Sequence, residues 1–153
     1  MTKEIETLKR DRSLLLESIK DLNAEQLNKI PPGFSNNIIW NLGHTIAVQQ
    51  GVCYKRAGLP ALISDYFGEN FKSGTKPEGV ISDDEITQIK QLLLITLDRF
   101  EIDLNNQIFG NYAAWSTRHG MKVANIDDSI KFLLFHDGLH AETIVAIKKI
   151  VKA

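Results

Sequence analysis

The sequence predicts an all-α protein, a four-helix bundle with a long crossover connection. Three observations carry that prediction. Four stretches place apolar residues at helical spacing, proline and glycine cluster outside those stretches, and no segment makes a convincing strand. Two connections of roughly 20 to 25 residues argue against an up-down-up-down bundle with short loops.

In the first stretch Ile5, Leu8, Leu15, Ile19 and Leu22 recur at helical spacing and Leu16 widens the stripe, which predicts a helix over about residues 2 to 22. Arg12 falls on the same stripe. It reads either as a snorkelling arginine at the bundle edge or as an anion contact lining a cavity. Pro31, Pro32 and Gly33 break the chain, and Ser35 or Asn36 can cap a second helix running from about Asn37 to Ala57 and stopping near Gly58 and Pro60. Residues 58 to 81 hold Gly68, Gly74, Pro77 and Gly79 without a sustained period, so they form a long loop with at most one short turn. A loop of that length in a compact domain usually covers something.

Ser82 followed by Glu85 is a capping box, and Ile86, Ile89, Leu93, Leu97, Phe100 and Leu104 mark a third helix over about 83 to 105. A second irregular segment, residues 106 to 125, contains Tyr112, Trp115, His119 and Gly120. Asp127 is the expected cap of a fourth helix over about 128 to 151, with Phe132, Leu133, Phe135, Leu139, Ile144, Ile147 and Ile150 as its apolar positions.

The chain has 153 residues, 43% of them apolar, which predicts one globular domain over 1–153 that buries roughly two thirds of its unfolded surface. Eighteen Lys and Arg against 19 Asp and Glu give a net charge of −1. That leaves no electrostatic footprint for nucleic acid or an acidic membrane surface. The charged opening MTKEIETLKRDRS has no apolar leader, and no apolar run nears the roughly 20 residues of a membrane helix, so the expected location is cytoplasmic. Cys53, the single cysteine, fits a reducing compartment.

The chemistry gathers on two helices. His136 and His140 are four residues apart, within about 40° of one another on a helix face, and Phe132, Thr143 and Ile147 share their stripe. One histidine on such a face is usually a satisfied core imidazole. Two stacked rings each still have to place a donor and an acceptor away from water. On the second helix Trp40, His44 and Val48 stack at successive turns, with Asn41 and Ala47 about 60° to either side, so His44 also points inward. Bundles build metal sites from side chains on facing helices, and three imidazoles leave a fourth position for water or substrate. Cys53, nine residues past His44, turns away and reads as a packed or partly exposed free thiol. His119, between Arg118 and Gly120, reads as a solvated loop histidine, although its segment could fold over the cavity mouth.

The segment Asn37-Ile38-Ile39-Trp40-Asn41-Leu42-Gly43-His44 resembles the tryptophan-to-histidine motif of the DinB-like (DinB/YfiT) superfamily. DDSIKFLLFHDGLHAETI, residues 127 to 144, is similar to its fourth-helix motif, and residues 21 to 28 resemble the link leaving its first helix. The resemblance implies a bundle with a long crossover and a divalent metal, zinc or nickel, on His44, His136 and His140. Asp137 stands where relatives often have Glu, and Ala141-Glu142 where a glycine is common.

Two functional expectations follow. One is a metal-dependent enzyme, either a hydrolase or a transferase dependent on a low-molecular-weight thiol, that activates a water or a thiol at the three-histidine site. The other is a non-catalytic metal-binding stress-response module. No residue is assigned as a general base, since Asp137 lies about 80° off the histidine stripe. Asn41 and Asp137 are the nearest polar groups able to hold the outer ring nitrogens or line the cavity. The expected partner is an unidentified small-molecule substrate, and exposed Leu94 and Ile95 predict weak homodimerisation through helix faces.

Overall fold

The computed structural model describes residues 2–153. Helix α1, Lys3–Ser18, is capped by Thr2, whose hydroxyl accepts from the Ile5 N–H. It ends four residues before the predicted boundary. The Ile19 N–H bonds to the Leu16 carbonyl and the Leu22 N–H to the Ile19 carbonyl, so the stripe continues as turns that still bury Ile19 and Leu22. Asn23 and Gln26 then form a capping box that opens a short helix, α2, Ala24–Asn28, inside the predicted connection.

Helix α3, Ile38–Gln49, is capped by Asn37, which accepts from the Trp40 N–H; Ser35 and Asn36 do not cap it. It is buried nearly all round, its polar Asn41, His44, Thr45 and Gln49 included. Its path continues through a π turn, Gln50–Tyr54, and a 3-10 turn, Lys55–Ala57, to Gly58 at φ +70°. The crossover holds one further helix, α4, Asp65–Phe71, capped by Ser64. Helix α5, Asp83–Asn105, starts at the Ser82/Glu85 capping box.

The second irregular segment contains a small hairpin the sequence did not predict, β1 (Trp115–Ser116) paired antiparallel with β2 (Lys122–Val123), turning near Gly120 at φ +81°. Helix α6, Ile126–Lys152, is capped by Asn125 and not Asp127; the Asn125 side chain accepts from the Asp128 N–H, and Asp127 sits in the first turn. Phe135, Leu139 and Ile150 are 55%, 48% and 42% exposed, so three of the expected core positions of this helix face outward. Its buried face runs through Ile130, Leu133, Asp137, Ile144, Ile147 and Val151.

Helix α3 packs against α5 and α6, and α1 packs against the same pair. The apolar core falls into two clusters. One contains Ile19, Leu42, Ile46, Leu93 and Ile144; the other contains Leu8, Cys53, Leu97, Phe100 and Leu133. Along each long helix a buried polar side chain lies between the two: Arg12 on α1, Gln49 on α3, Thr96 on α5 and Asp137 on α6. Among the described residues, no helix is long and apolar enough to cross a membrane.

Candidate metal centre

His44 lies in the middle of α3, and Trp40, one turn earlier, stacks on its ring with centroids 4.6 Å apart and planes 11° from parallel. His136 and His140 reach across from α6. One ring nitrogen from each of the three lies within 4.8 Å of the other two, with His136 Nε2 3.3 Å from His44 Nε2. Asn41, one turn before His44, is fully buried.

The outer ring nitrogens show which way the rings carry their hydrogens. His44 Nδ1–H donates to the Phe71 carbonyl at 2.7 Å, and His140 Nδ1–H donates to Asn41 Oδ1 at 2.7 Å. Asn41 is oriented by its own amide, which donates to the Asn37 carbonyl and to Asn36 Oδ1, so its oxygen must face His140. Both bonds leave Nε2 of a neutral ring as a lone pair. Burial lowers His44 to about 4, with the Phe71 bond opposing and the neighbouring His136 imidazole adding. Burial likewise lowers His140 to about 3, with the two neighbouring imidazoles adding. Both rings are therefore neutral at pH 7, the form that binds a metal.

Phe71 reaches His44 because Gly43 lets it. A Cβ at Gly43 would stand 2.7 Å from Phe71 Cγ, so only a glycine allows α4 to close this far onto α3. A cavity of about 490 Å³ lies beyond Trp40 and Phe71, lined also by Phe67, Thr75, Ile89 and Leu92 under the crossover. On the other side the hairpin leans on the site: Trp115 meets Phe132 edge-on and Phe132 packs on His136, both with centroids 5.4 Å apart.

The remaining candidates separate cleanly. Arg12 does not snorkel; it is 2% exposed, and the anion it meets is internal, Asp137 Oδ2 at 2.7 Å from its Nε. Burial by itself raises the Asp137 carboxyl, but the Arg12 charge, the adjoining His136 imidazole and the Arg12 hydrogen bond together more than offset it and hold it below the usual carboxylate range. Cys53 is buried in the second core cluster, where burial pushes its thiol up. His119 is exposed and takes no part in the cluster. Sequence reasoning missed the Phe71 carbonyl, since a backbone acceptor has no side-chain signature, and the Arg12–Asp137 pair, whose members are 125 residues apart.

Two lone pairs aimed at one point, with a third imidazole nitrogen beside them, need a cation or a proton among them. A set of neutral imidazoles suits a borderline divalent ion. Fold and site together define a helical-bundle protein with a candidate three-histidine metal centre. The chain belongs to the DinB superfamily, whose family profile matches residues 7–144. Comparison with curated proteins gave no match.

Proposed function

We propose that this chain binds one divalent metal, zinc or nickel, through His44, His136 and His140, and that it is a metal-dependent enzyme acting on a small molecule. The convergence of the three imidazoles, with the outer nitrogens of His44 and His140 held by Phe71 and Asn41, is the observation that carries the reading. A metal held by three imidazoles keeps a position for a water or a small thiol and lowers its pKa, so that a hydrolase or a thiol-dependent transferase fits the site. The protein's own part is to keep His44 and His140 neutral, fix their tautomers and exclude bulk water with Trp40, Phe71 and Phe132. Asp137 is tied to Arg12 and leaves the reacting proton to others.

Elemental analysis of protein purified without a metal-affinity tag tests the first step, with one zinc or nickel per chain expected. Metal that persists at the same stoichiometry in His44→Ala would refute the site. Calorimetry of cysteine, as a model thiol, and hydrolysis of an activated ester by the loaded protein then separate the two chemistries. A loaded protein inert to both would be the metal-binding module instead.

A further inference from the structure

Arg12 is a buried cation with almost every donor committed. Its Nε donates to Asp137 Oδ2 at 2.7 Å, Nη1 to Gln49 Oε1 at 3.1 Å and the Leu93 carbonyl at 3.0 Å, and Nη2 to the Thr45 carbonyl at 3.4 Å. Gln49 is held in turn, donating to the Thr96 carbonyl and accepting from the Thr96 hydroxyl. A guanidinium fixed from three helices fixes the carboxylate paired with it.

That carboxylate uses only one of its oxygens. Among the described residues neither Asp137 Oδ1 nor His136 Nδ1, both buried, has a hydrogen-bond partner, and the two lie 3.8 Å apart. A single cause explains both: neither atom carries a hydrogen. At the other edge of the ring, His136 Nε2 is 3.3 Å from His44 Nε2. His44 uses its ring hydrogen on Phe71, so the hydrogen in this contact belongs to His136. With its hydrogen on Nε2, His136 presents a bare Nδ1 to the carboxylate, and two acceptors stay out of bonding range.

Resting on the reading of the cluster as a metal site, the geometry points to Asp137 and Arg12 as positioning residues that receive His136 in its other tautomer. Three Nε2 lone pairs are needed to hold a metal, so His136 must then carry its hydrogen on Nδ1, and Asp137 Oδ1 is the acceptor beside it. One proton leaves Nε2 for solvent and one is taken up at Nδ1. Each histidine then has its own outer partner: the Phe71 carbonyl for His44, Asn41 for His140 and Asp137 for His136. Arg12 touches none of the rings and acts only by keeping Asp137 charged and aimed.

Proton–nitrogen NMR of the imidazoles, with and without one equivalent of zinc, reads each tautomer in the wild-type chain. His44 and His140 are expected as Nδ1–H throughout, while His136 changes from Nε2–H to a slowly exchanging Nδ1–H. In Arg12→Met/Asp137→Leu the buried pair is removed together, which avoids stranding one charge. Zinc affinity should fall about 10- to 100-fold, and the His136 Nδ1–H should exchange fast while the other two signals persist. The inference is overturned by a metal-free His136 already in the Nδ1–H form, or by a folded double variant that binds zinc as tightly as the parent. If that variant does not fold, the tautomers of the wild-type chain decide. A wild-type chain that takes up no zinc overturns the metal reading itself, a result distinct from zinc uptake without the tautomer change.

Discussion

Asn41 does two jobs with one amide. Its oxygen takes the His140 Nδ1–H and its nitrogen donates to the Asn37 carbonyl and Asn36, so replacing it removes the hydrogen-bond partner of a ring without touching that ring. Asn41→Ala is expected to weaken zinc binding by about 10- to 100-fold, and His140→Ala to remove most of it, with both chains still helical by circular dichroism. Calorimetric titration of zinc into the metal-free proteins checks this, and parental affinity in Asn41→Ala would show that the bond does not tune the site. Elsewhere the buried acids set an alkaline limit. Burial pushes up both the Cys53 thiol and the Tyr54 hydroxyl, and Tyr54 also donates to Asp103 Oδ2 at 2.7 Å. Folded pKa values raised above the ordinary 9.0 and 10.0 mean that their stability is fully present below pH 9 and is lost as the unfolded chain ionises above it. The urea midpoint should therefore fall above pH 9, and Cys53 should react with a thiol reagent at pH 8 only as fast as the chain opens. Rapid native-state labelling would contradict this burial.

At the scale of elements, α4 is the piece that joins the crossover to the site. Gly43→Ala puts a methyl against the edge of the Phe71 ring, so the ring must shift, and it belongs to the residue whose carbonyl holds His44. The expected cost is about 1 to 3 kcal/mol of stability, in the range of an overpacked core, together with weaker zinc binding; urea denaturation and calorimetry read the two separately. A loss of stability with unchanged affinity would mean that Phe71 does not control His44. The four long helices were legible because each repeats its apolar stripe over several turns. Helices α2 and α4, of five and seven residues, are too short to show a period, although Ser64 followed by Phe67 and Phe71 at i, i+4 carried a faint one. The cap of α6 was misplaced because Asn125 and Asp127 are both good acceptors two residues apart, and only the path of the chain decides which meets the free N–H groups. Phe135 and Leu139 misled because α6 is apolar on more than one face, so its pattern alone does not say which face turns inward.

At the scale of the whole molecule, helix arithmetic could turn three histidines inward, but only tertiary packing brings α3 and α6 together so that His44 and His136, 92 residues apart, meet nitrogen to nitrogen. The same distance hid the partner of Arg12, whose place on an apolar stripe was visible and whose carboxylate was not. Ile95 and Ile102, both more than half exposed on α5, are the apolar groups a second copy could cover. A weak, concentration-dependent rise in mass from one chain to two in sedimentation is the expected outcome, and Ile95→Lys should abolish it. Because two apolar clusters flank the buried polar layer, the bundle has its own core and should fold without metal. A metal joining α3 to α6 would bind the folded chain and not the unfolded one, so it would add stability by mass action, about 2.7 kcal/mol at a free concentration 100-fold above Kd. For a chain of this size that corresponds to a rise in Tm of about 5 to 10 °C. Calorimetric melting with and without zinc should show the rise in the parent and none in His140→Ala. A metal-free parent already unfolded at 25 °C would make the metal structural, and an equal rise in both proteins would place the zinc somewhere other than on these histidines.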